Sequence, residues 1–340
     1  MADSVDPGAV PQFTLSSGSK IPCIGMGTFG SDKYAPPEVS AAVAGAIRFG
    51  YRLFDCASVY GNEDLIGQVF EEAFKAGTVK REELFINSKV WNDMHGRGDV
   101  LLSLAQTLKD LRLDYVDAYF VHWPFPNYHA PGCDGETRNP GSVPFSPDAF
   151  MTVWTQMERI CDMGLAKHLG MSNMTIPKLE AVLPRCRIKP ALIEMEQHPC
   201  FQQQELFDYC VKAGITVIGY SPIGSPNRPG RDKSPGDYAD TEEPEIAAIA
   251  EAHGIHPALV CLKWAVQRGS IPIPFSVHEK NYQSNLRSVL SDPLTEAEMA
   301  AVKKAERNCR LVKGQVFLWP GAKGWEDLWD MDGKITPGPR

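Results

Sequence analysis

Four residues of this 340-residue chain could together deliver a proton to an oxygen: Asp55, Tyr60, Lys89 and His122. An isolated tyrosine titrates near pH ~10. A neighbouring ammonium favours the phenolate and lowers that value. Lys89 would supply the charge, and Asp55 would hold and orient Lys89. Tyr60 could then protonate a developing alkoxide at neutral pH, while His122 donates a hydrogen bond to the same oxygen and fixes its direction. Each residue also has an ordinary structural use: Asp55 as a helix cap, Lys89 as a solvated strand end, Tyr60 as loop packing, His122 as a satisfied core histidine. Their common placement favours the chemical reading. All four fall at or just after the ends of short apolar runs, as do Ser172, Asn173, Glu194, Tyr220 and Ser221.

Those runs repeat with helical stretches between them. Strands are expected at residues 24–27, 52–56, 84–89, 115–122, 166–171, 191–195, 216–220 and 271–274. Amphipathic helices are expected at 37–49, 62–75, 99–111, 148–163, 176–183, 203–212, 245–253, 257–268 and 280–290, and a further one at 296–307 lies outside the repeat. An opening β-hairpin is expected around Ser16-Ser17-Gly18-Ser19. Eight β-then-α units with short buried strands predict a parallel sheet. The fold expected is α/β: a single (β/α)8 TIM barrel with an N-terminal β-hairpin, long active-site loops and an extra C-terminal helix and tail. An open doubly wound sheet is the rival. Residues 1–340 read as one domain, with a core of about 12–307. Residues 308–340 read as an extension that packs on the barrel, since Phe317, Trp319, Trp325 and Trp329 make it too aromatic for a free end. In a closed barrel the strand ends converge on one face, where barrel enzymes place their sites.

Composition narrows the partners. The formal net charge of −8 repels nucleic acid and anionic lipid. Nine cysteines, an odd number with no CxxC pair, read as reduced thiols of a cytoplasmic protein. The N-terminal residues lack the basic start and apolar run of a signal peptide, and no apolar stretch is long enough for a membrane span. No HxH or HExxH pair offers a metal site. Gly25-Met26-Gly27-Thr28-Phe29-Gly30 matches the G-x-G-x-x-G pattern, but that motif needs a helix N-terminus at its third glycine. Pro36-Pro37 starts the helix too late, so the match reads as accidental. Two loops, 124–147 and 224–244, are long enough to be lids or binding walls.

Several segments carry a resemblance. Phe54-Asp55-Cys56-Ala57-Ser58-Val59-Tyr60-Gly61-Asn62-Glu63, Ser88-Lys89-Val90-Trp91, Val121-His122-Trp123-Pro124, Gly170-Met171-Ser172-Asn173 and Tyr220-Ser221-Pro222-Ile223-Gly224-Ser225 resemble, in order, the signatures of the aldo-keto reductases, over roughly residues 12–307. The resemblance implies a (β/α)8 barrel, NAD(P)H without a metal, and reduction of an aldehyde, ketone or sugar carbonyl by hydride transfer with Tyr60 as general acid. It implies Asp55, Tyr60, Lys89 and His122 as a catalytic tetrad. Ser172, Asn173 and the residue at Glu194 would bind the nicotinamide carboxamide, and Tyr220 would stack on the ring. Ser221, Ile223, Gly224 and Ser225 would line the pyrophosphate. Gly27, Thr28, Phe29 and Asp55 would touch the cofactor at the first two strand ends, and Asn285 would contact adenine.

The chain departs from that pattern in two places. Glu194 stands where a glutamine is usual; an ionised carboxylate only accepts hydrogen bonds and favours the cationic, oxidised ring. Phe275 and Asn281 replace a lysine and an arginine that commonly grip the 2′-phosphate. Ser276, Val277, His278 and Lys280 remain as contacts, so NADP(H) is favoured and NAD(H) stays open. The substrate would meet Phe29, Val59 and Trp123 beside Tyr60 and His122. Asn127, Tyr128, His129, Asp134, Glu136, Arg138 and Asn139 on the first long loop suggest a polyhydroxylated substrate such as a sugar aldehyde. The alternative function is a cofactor-sensing or regulatory subunit with little turnover.

Overall fold

Alternation of short apolar runs with amphipathic stretches becomes strand and helix in turn. A computed structural model describes residues 4–130, 133 and 137–336. The hairpin comes first: β1 (Gln12–Thr14) pairs antiparallel with β2 (Lys20–Pro22). The barrel follows as β3 (Met26–Gly27), α1 (Pro36–Phe49), β4 (Leu53–Asp55), α2 (Glu63–Lys75), β5 (Phe85–Val90), α3 (Asp99–Leu111), β6 (Val116–Val121), α4 (Pro147–Asp162), β7 (Ala166–Ser172), α5 (Ile176–Val182), β8 (Leu192–Glu196), α6 (Gln204–Lys212), β9 (Thr216–Tyr220), α7 (Pro244–His253), α8 (Pro257–Gln267), β10 (Ile271–Pro272) and α9 (Glu279–Ser288). The extra helix is α10 (Glu296–Lys303).

Eight parallel strands run in the order β3 to β10. The first and last are joined by backbone hydrogen bonds, Gly25 N to Pro272 O at 3.0 Å and Gly27 N to Pro274 O at 3.1 Å. The sheet therefore closes on itself and presents no free edge. Its strands read as continuous apolar runs because both faces are covered: all six residues of β5 and of β6 are buried. One face meets the helices through Phe70, Leu104, Trp154 and Met157. The other fills the barrel with Leu53, Phe85, Phe120, Leu192, Ile218 and Ile271, and Leu15 and Ile21 of the hairpin plug the bottom. Each such fully buried aliphatic or aromatic side chain contributes about 2 kcal/mol. The fill is tight at Gly170, where a Cβ would lie 2.2 Å from the Phe120 ring.

The last helix stops at Lys303, short of the expected residue 307. The amides of Arg307 and Cys309 both turn to the Cys200 carbonyl, at 3.1 and 3.0 Å, and pull the chain off the helical path. The segment beyond it docks on the barrel rim. Val316, Phe317, Leu318, Trp319, Leu328 and Trp329 form one apolar cluster with Trp123 and Phe125. The G-x-G-x-x-G run lies on β3 and its exit, six residues short of α1 at Pro36, so no helix terminus meets it. No helix among the described residues is long and apolar enough to cross a membrane.

Candidate active site

Tyr60 owes its position to a short 3-10 turn, Ser58–Tyr60, directly after β4. Gly61 ends that turn in the left-handed region at φ 63°, and Ser58 Oγ donates to the Lys89 carbonyl at 3.2 Å, tying the turn to β5. Parallel register places Asp55 beside Asn87 and Lys89 beside Phe120. Asp55 and Lys89 both face the barrel axis. Lys89 Nζ donates to Asp55 Oδ2 at 2.5 Å and to the Cys56 carbonyl at 3.0 Å, and lies 3.4 Å from Glu194 Oε1. The same ammonium sits 5.3 Å from the centroid of the Tyr60 ring. The His122 ring, at the end of β6, is edge-on to Tyr60 at 5.9 Å and to Trp91 at 5.0 Å.

Burial and charge decide the protonation states. Burial would discharge Lys89, but Asp55 and Glu194 overrule it and hold its pKa well above the lysine range. Burial followed by Lys89 keeps His122 neutral, well below the usual histidine value. The expectation for Tyr60 needs correcting. Lys89 does pull its phenol downward, but desolvation by the surrounding protein is the larger effect and leaves the pKa above that of a free tyrosine. At rest the Tyr60 phenol is protonated rather than partly ionised. Glu194 is raised to about 8 by burial and by Asp55, with Lys89 opposing.

Asp55, Tyr60, His122 and Glu194 line one wall of a cavity of about 580 Å³ at the C-terminal ends of the strands. The cavity brings together Gly27, Thr28, Phe29, Asp55, Val59, Tyr60, His122 and Trp123 from the exits of β3, β4 and β6. Ser172, Asn173, Glu194, Tyr220, Ser221, Ile223 and Ser225 follow from the next three, and Ser276, His278 and Asn281 from the last. Lys89 is fully buried behind Asp55. Gly224, Val277, Lys280 and Asn285 do not line the cavity, and Lys280 points to solvent. Asn173 is pinned between strands: its Nδ2 donates to the His122 carbonyl at 2.8 Å and its Oδ1 accepts from Tyr220 Oη at 2.7 Å.

Other walls were not legible as site residues. Asp32, Lys33 and Tyr34 come from the loop after β3, and Asn227, Arg228, Arg231 and Asp232 from the loop over 224–244. The two loops meet across the cavity, Arg231 ion-pairing with Asp32 and Lys33 Nζ donating to Asn227 Oδ1 at 3.4 Å. Val312, Gly314, Val316 and Phe317 enter from the C-terminal segment. The aromatic density of this segment signals packing on the barrel, and no polar motif in it marks a cavity wall.

Among the described polar residues on loop 124–147, only His129 lines the cavity. Asn127 is buried and used structurally, donating to Val143 O and Phe317 O and accepting from Val143 N. Arg138 and Asn139 line a separate cavity beside Trp319. Asp134 and Glu136 lie outside the described residues.

The site fits an elongated ligand with a ring at one end and anionic groups further along. Glu194 Oε2 and His122 Nδ1 are buried polar atoms without a protein partner. Beyond β9 the backbone enters the left-handed region at Ser221 (φ 53°), Gly224 (71°) and Ser225 (38°), the close turns a phosphate-bearing chain requires. A nicotinamide dinucleotide has this form. At the far end Ser276 Oγ accepts from His278 N (3.1 Å) and Asn281 Nδ2 (3.3 Å), and Phe275 packs edge-on to Tyr34 at 5.9 Å. Among the described residues no group of three His, Cys, Asp or Glu is arranged to hold a metal ion.

Comparison with known proteins gives a consistent result. Residues 23–307 match the model of the aldo/keto reductase family. An aldo/keto reductase of Synechocystis is 39% identical over 322 residues, covering 94% of this chain and 96% of that protein. Aldo-keto reductase family 1 member A1 of Xenopus tropicalis is 39% identical over 306 residues, covering 89% of this chain and 91% of its own. The crystal structure of a Bombyx mori aldo-keto reductase in complex with NADP superposes with a TM-score of 0.78 at 30% identity, covering 91% of this chain and 96% of that one.

Proposed function

The chain belongs to the aldo/keto reductase family, and from that membership we propose that it reduces a small-molecule aldehyde or ketone to the alcohol with NAD(P)H, Tyr60 acting as the proton donor. The observation that carries this reading is the Asp55–Lys89 ion pair lying beneath Tyr60, next to a neutral His122, on one wall of a cavity. A bound nicotinamide would supply the hydride. The protein supplies the proton and the direction. The neutral His122 ring donates a hydrogen bond to the substrate oxygen and orients it. Negative charge then develops on that oxygen, and the Tyr60 Oη proton moves to it. Lys89 stabilises the phenolate left behind, and Asp55 holds the ammonium in place. Burial favours the sequence, since it keeps Tyr60 protonated until a stronger base forms beside it.

Ser172, Asn173, Glu194 and Tyr220 would hold the nicotinamide end. Ser221, Ile223, Gly224 and Ser225 would hold the pyrophosphate, and Ser276, Val277, His278, Lys280, Asn281 and Asn285 the adenosine end. NADP(H) is the favoured cofactor, with weak discrimination against NAD(H) because Phe275 stands on the cavity wall. For the substrate, Phe29, Trp91, Trp123, Val316 and Phe317 support a carbonyl on an aromatic or aliphatic body over a sugar, since Asn127, Arg138 and Asn139 of the loop are engaged away from the cavity. The unit acting is the whole barrel with its C-terminal segment, and the nine reduced cysteines fit a cytoplasmic setting.

The test is carbonyl-dependent oxidation of NADPH and NADH across aromatic aldehydes, aliphatic aldehydes, ketones and aldoses, with wild type and Tyr60→Phe. The expected result is highest kcat/KM on apolar aldehydes and loss of turnover in Tyr60→Phe with cofactor binding retained. Tight cofactor binding without turnover on any carbonyl would favour a sensing subunit instead.

A further inference from the structure

We propose that Glu194 is a second counter-ion to Lys89 whose gain or loss of a proton sets the relative affinity of this site for oxidised and reduced nicotinamide; the proposal rests on the cofactor reading above. A single buried ammonium lies between two buried carboxylates, 2.5 Å from Asp55 Oδ2 and 3.4 Å from Glu194 Oε1. With all three ionised the cluster carries one net negative charge; with Glu194 protonated it is neutral. Glu194 is held there by register: it pairs across the sheet with Ser172 on β7 and Ile218 on β9, and lines the cavity. Its second oxygen, Oε2, is buried and finds no partner in the protein. Lys89 uses Asp55 and the Cys56 carbonyl as its close acceptors, and Glu194 lies further off at 3.4 Å. With all three ionised, the excess negative charge of the cluster acts on what fills the cavity.

An oxidised nicotinamide ring is cationic and a reduced one is neutral. A carboxylate at the ring's end of the cavity therefore attracts the oxidised form and is nearly indifferent to the reduced one. Burial and Asp55 raise Glu194 to about 8, so both of its states are reached near neutrality. The titratable groups facing it are Asp55 on β4, Tyr60 in the turn after β4, Lys89 on β5 and Tyr220 on β9, with His122 on β6 facing Lys89. Tyr60 and Tyr220 are held protonated by burial, His122 neutral and Lys89 charged. Glu194, whose Oε2 has no partner in the protein, is thus the carboxyl on the cavity wall whose charge changes as pH crosses about 8.

The experiment is a fluorescence titration of the whole protein with NADP⁺ and with NADPH, at pH values on either side of about 8. The dissociation constants are expressed as their ratio, which cancels the ionisation of the phosphates common to both. In wild type, oxidised cofactor should gain on reduced by roughly tenfold as pH rises, the effect of one unit charge in a low-dielectric site. Glu194→Gln should show a flat ratio, set at the low-pH wild-type value. Glu194→Asp should restore the slope, which a merely structural role would not. A flat wild-type ratio, or a slope that persists in Glu194→Gln, would overturn the proposal while leaving the reductase reading intact. Failure of both cofactor forms to bind would remove the reductase reading and this proposal with it.

Discussion

Lys178 on α5 and Asp330 near the end of the C-terminal segment form an ion pair in which each side chain is 1% exposed. Lys178 Nζ also donates to the Leu328 carbonyl at 2.8 Å, and Thr175, the N-cap of α5, donates to the same Asp330 carboxylate. One buried ammonium thus clamps the segment that carries Val316 and Phe317 into the cavity wall.

Asp330→Ala strands that ammonium. The expected cost is about 3–5 kcal/mol, the usual result of removing one partner of a buried pair. Replacing both partners with apolar residues, Lys178→Met with Asp330→Leu, should recover most of it. Urea unfolding of the two variants checks this. In Asp330→Ala, kcat/KM for bulky aromatic aldehydes should fall more than for small ones, because Phe317 loses its support.

Lys89→Met leaves Asp55 and Glu194 without the charge they share. On the proposed mechanism turnover should fall by at least about 10²-fold, since a Tyr60 phenolate would lose its stabilising cation. KM for the carbonyl should change little, because Lys89 is fully buried and does not line the cavity. Steady-state kinetics with saturating cofactor separate the two parameters.

Stability should decline on the alkaline side through His198. Its ring nitrogens lie 3.0 Å from Glu196 Oε1 and 2.9 Å from Asp240 Oδ1, and these carboxylates, against the cost of burial, raise it from 6.5 to about 9. A histidine with a raised folded pKa binds its proton more tightly in the native state. Its stabilisation is complete below about pH 6.5 and is lost as pH climbs through about 9. The difference is on the order of 3 kcal/mol. Because Asp240 also accepts from Cys200 N, and Glu196 from Leu311 N and Val312 N, the 224–244 loop and the C-terminal segment should loosen together. Thermal melts across this range test it: His198→Gln should melt lower at neutral pH and lack this part of the alkaline decline.

Phe275→Lys should strengthen discrimination for the 2′-phosphate. The new ammonium would stand on the cavity wall near Ser276 and His278, where the proposed binding mode puts the 2′-phosphate that NADP(H) carries and NAD(H) lacks. The ratio of kcat/KM for NADPH over NADH should rise by about tenfold, or ~1.4 kcal/mol. An unchanged ratio would mean that the phosphate lies elsewhere.

Much of this was legible in one dimension. The apolar runs marked eight barrel strands because a sheet covered on both faces needs uninterrupted hydrophobic residues. Asp55, Tyr60, Lys89 and His122 could be picked out because each lies at or just beyond a strand's C-terminal end, and parallel strands bring those ends to one face. α10 ends before the expected residue 307 although its sequence stays helical in character to Arg307, and the competing acceptor responsible, the Cys200 carbonyl, lies more than a hundred residues away in sequence. Asn127 looked like a substrate contact because nothing local reveals that Val143 and Phe317 satisfy it.

The order of residues by itself determined the repeat, the strand-end chemistry and the departures at Glu194 and Phe275, since these depend only on residue type and spacing. The tertiary structure decided which loops face each other across the cavity, how the C-terminal segment forms a wall, and the protonation of Tyr60 and Glu194. Those outcomes are sums over neighbours distant in sequence. Desolvation in particular depends on everything packed around a group, so it exists only once the barrel has closed.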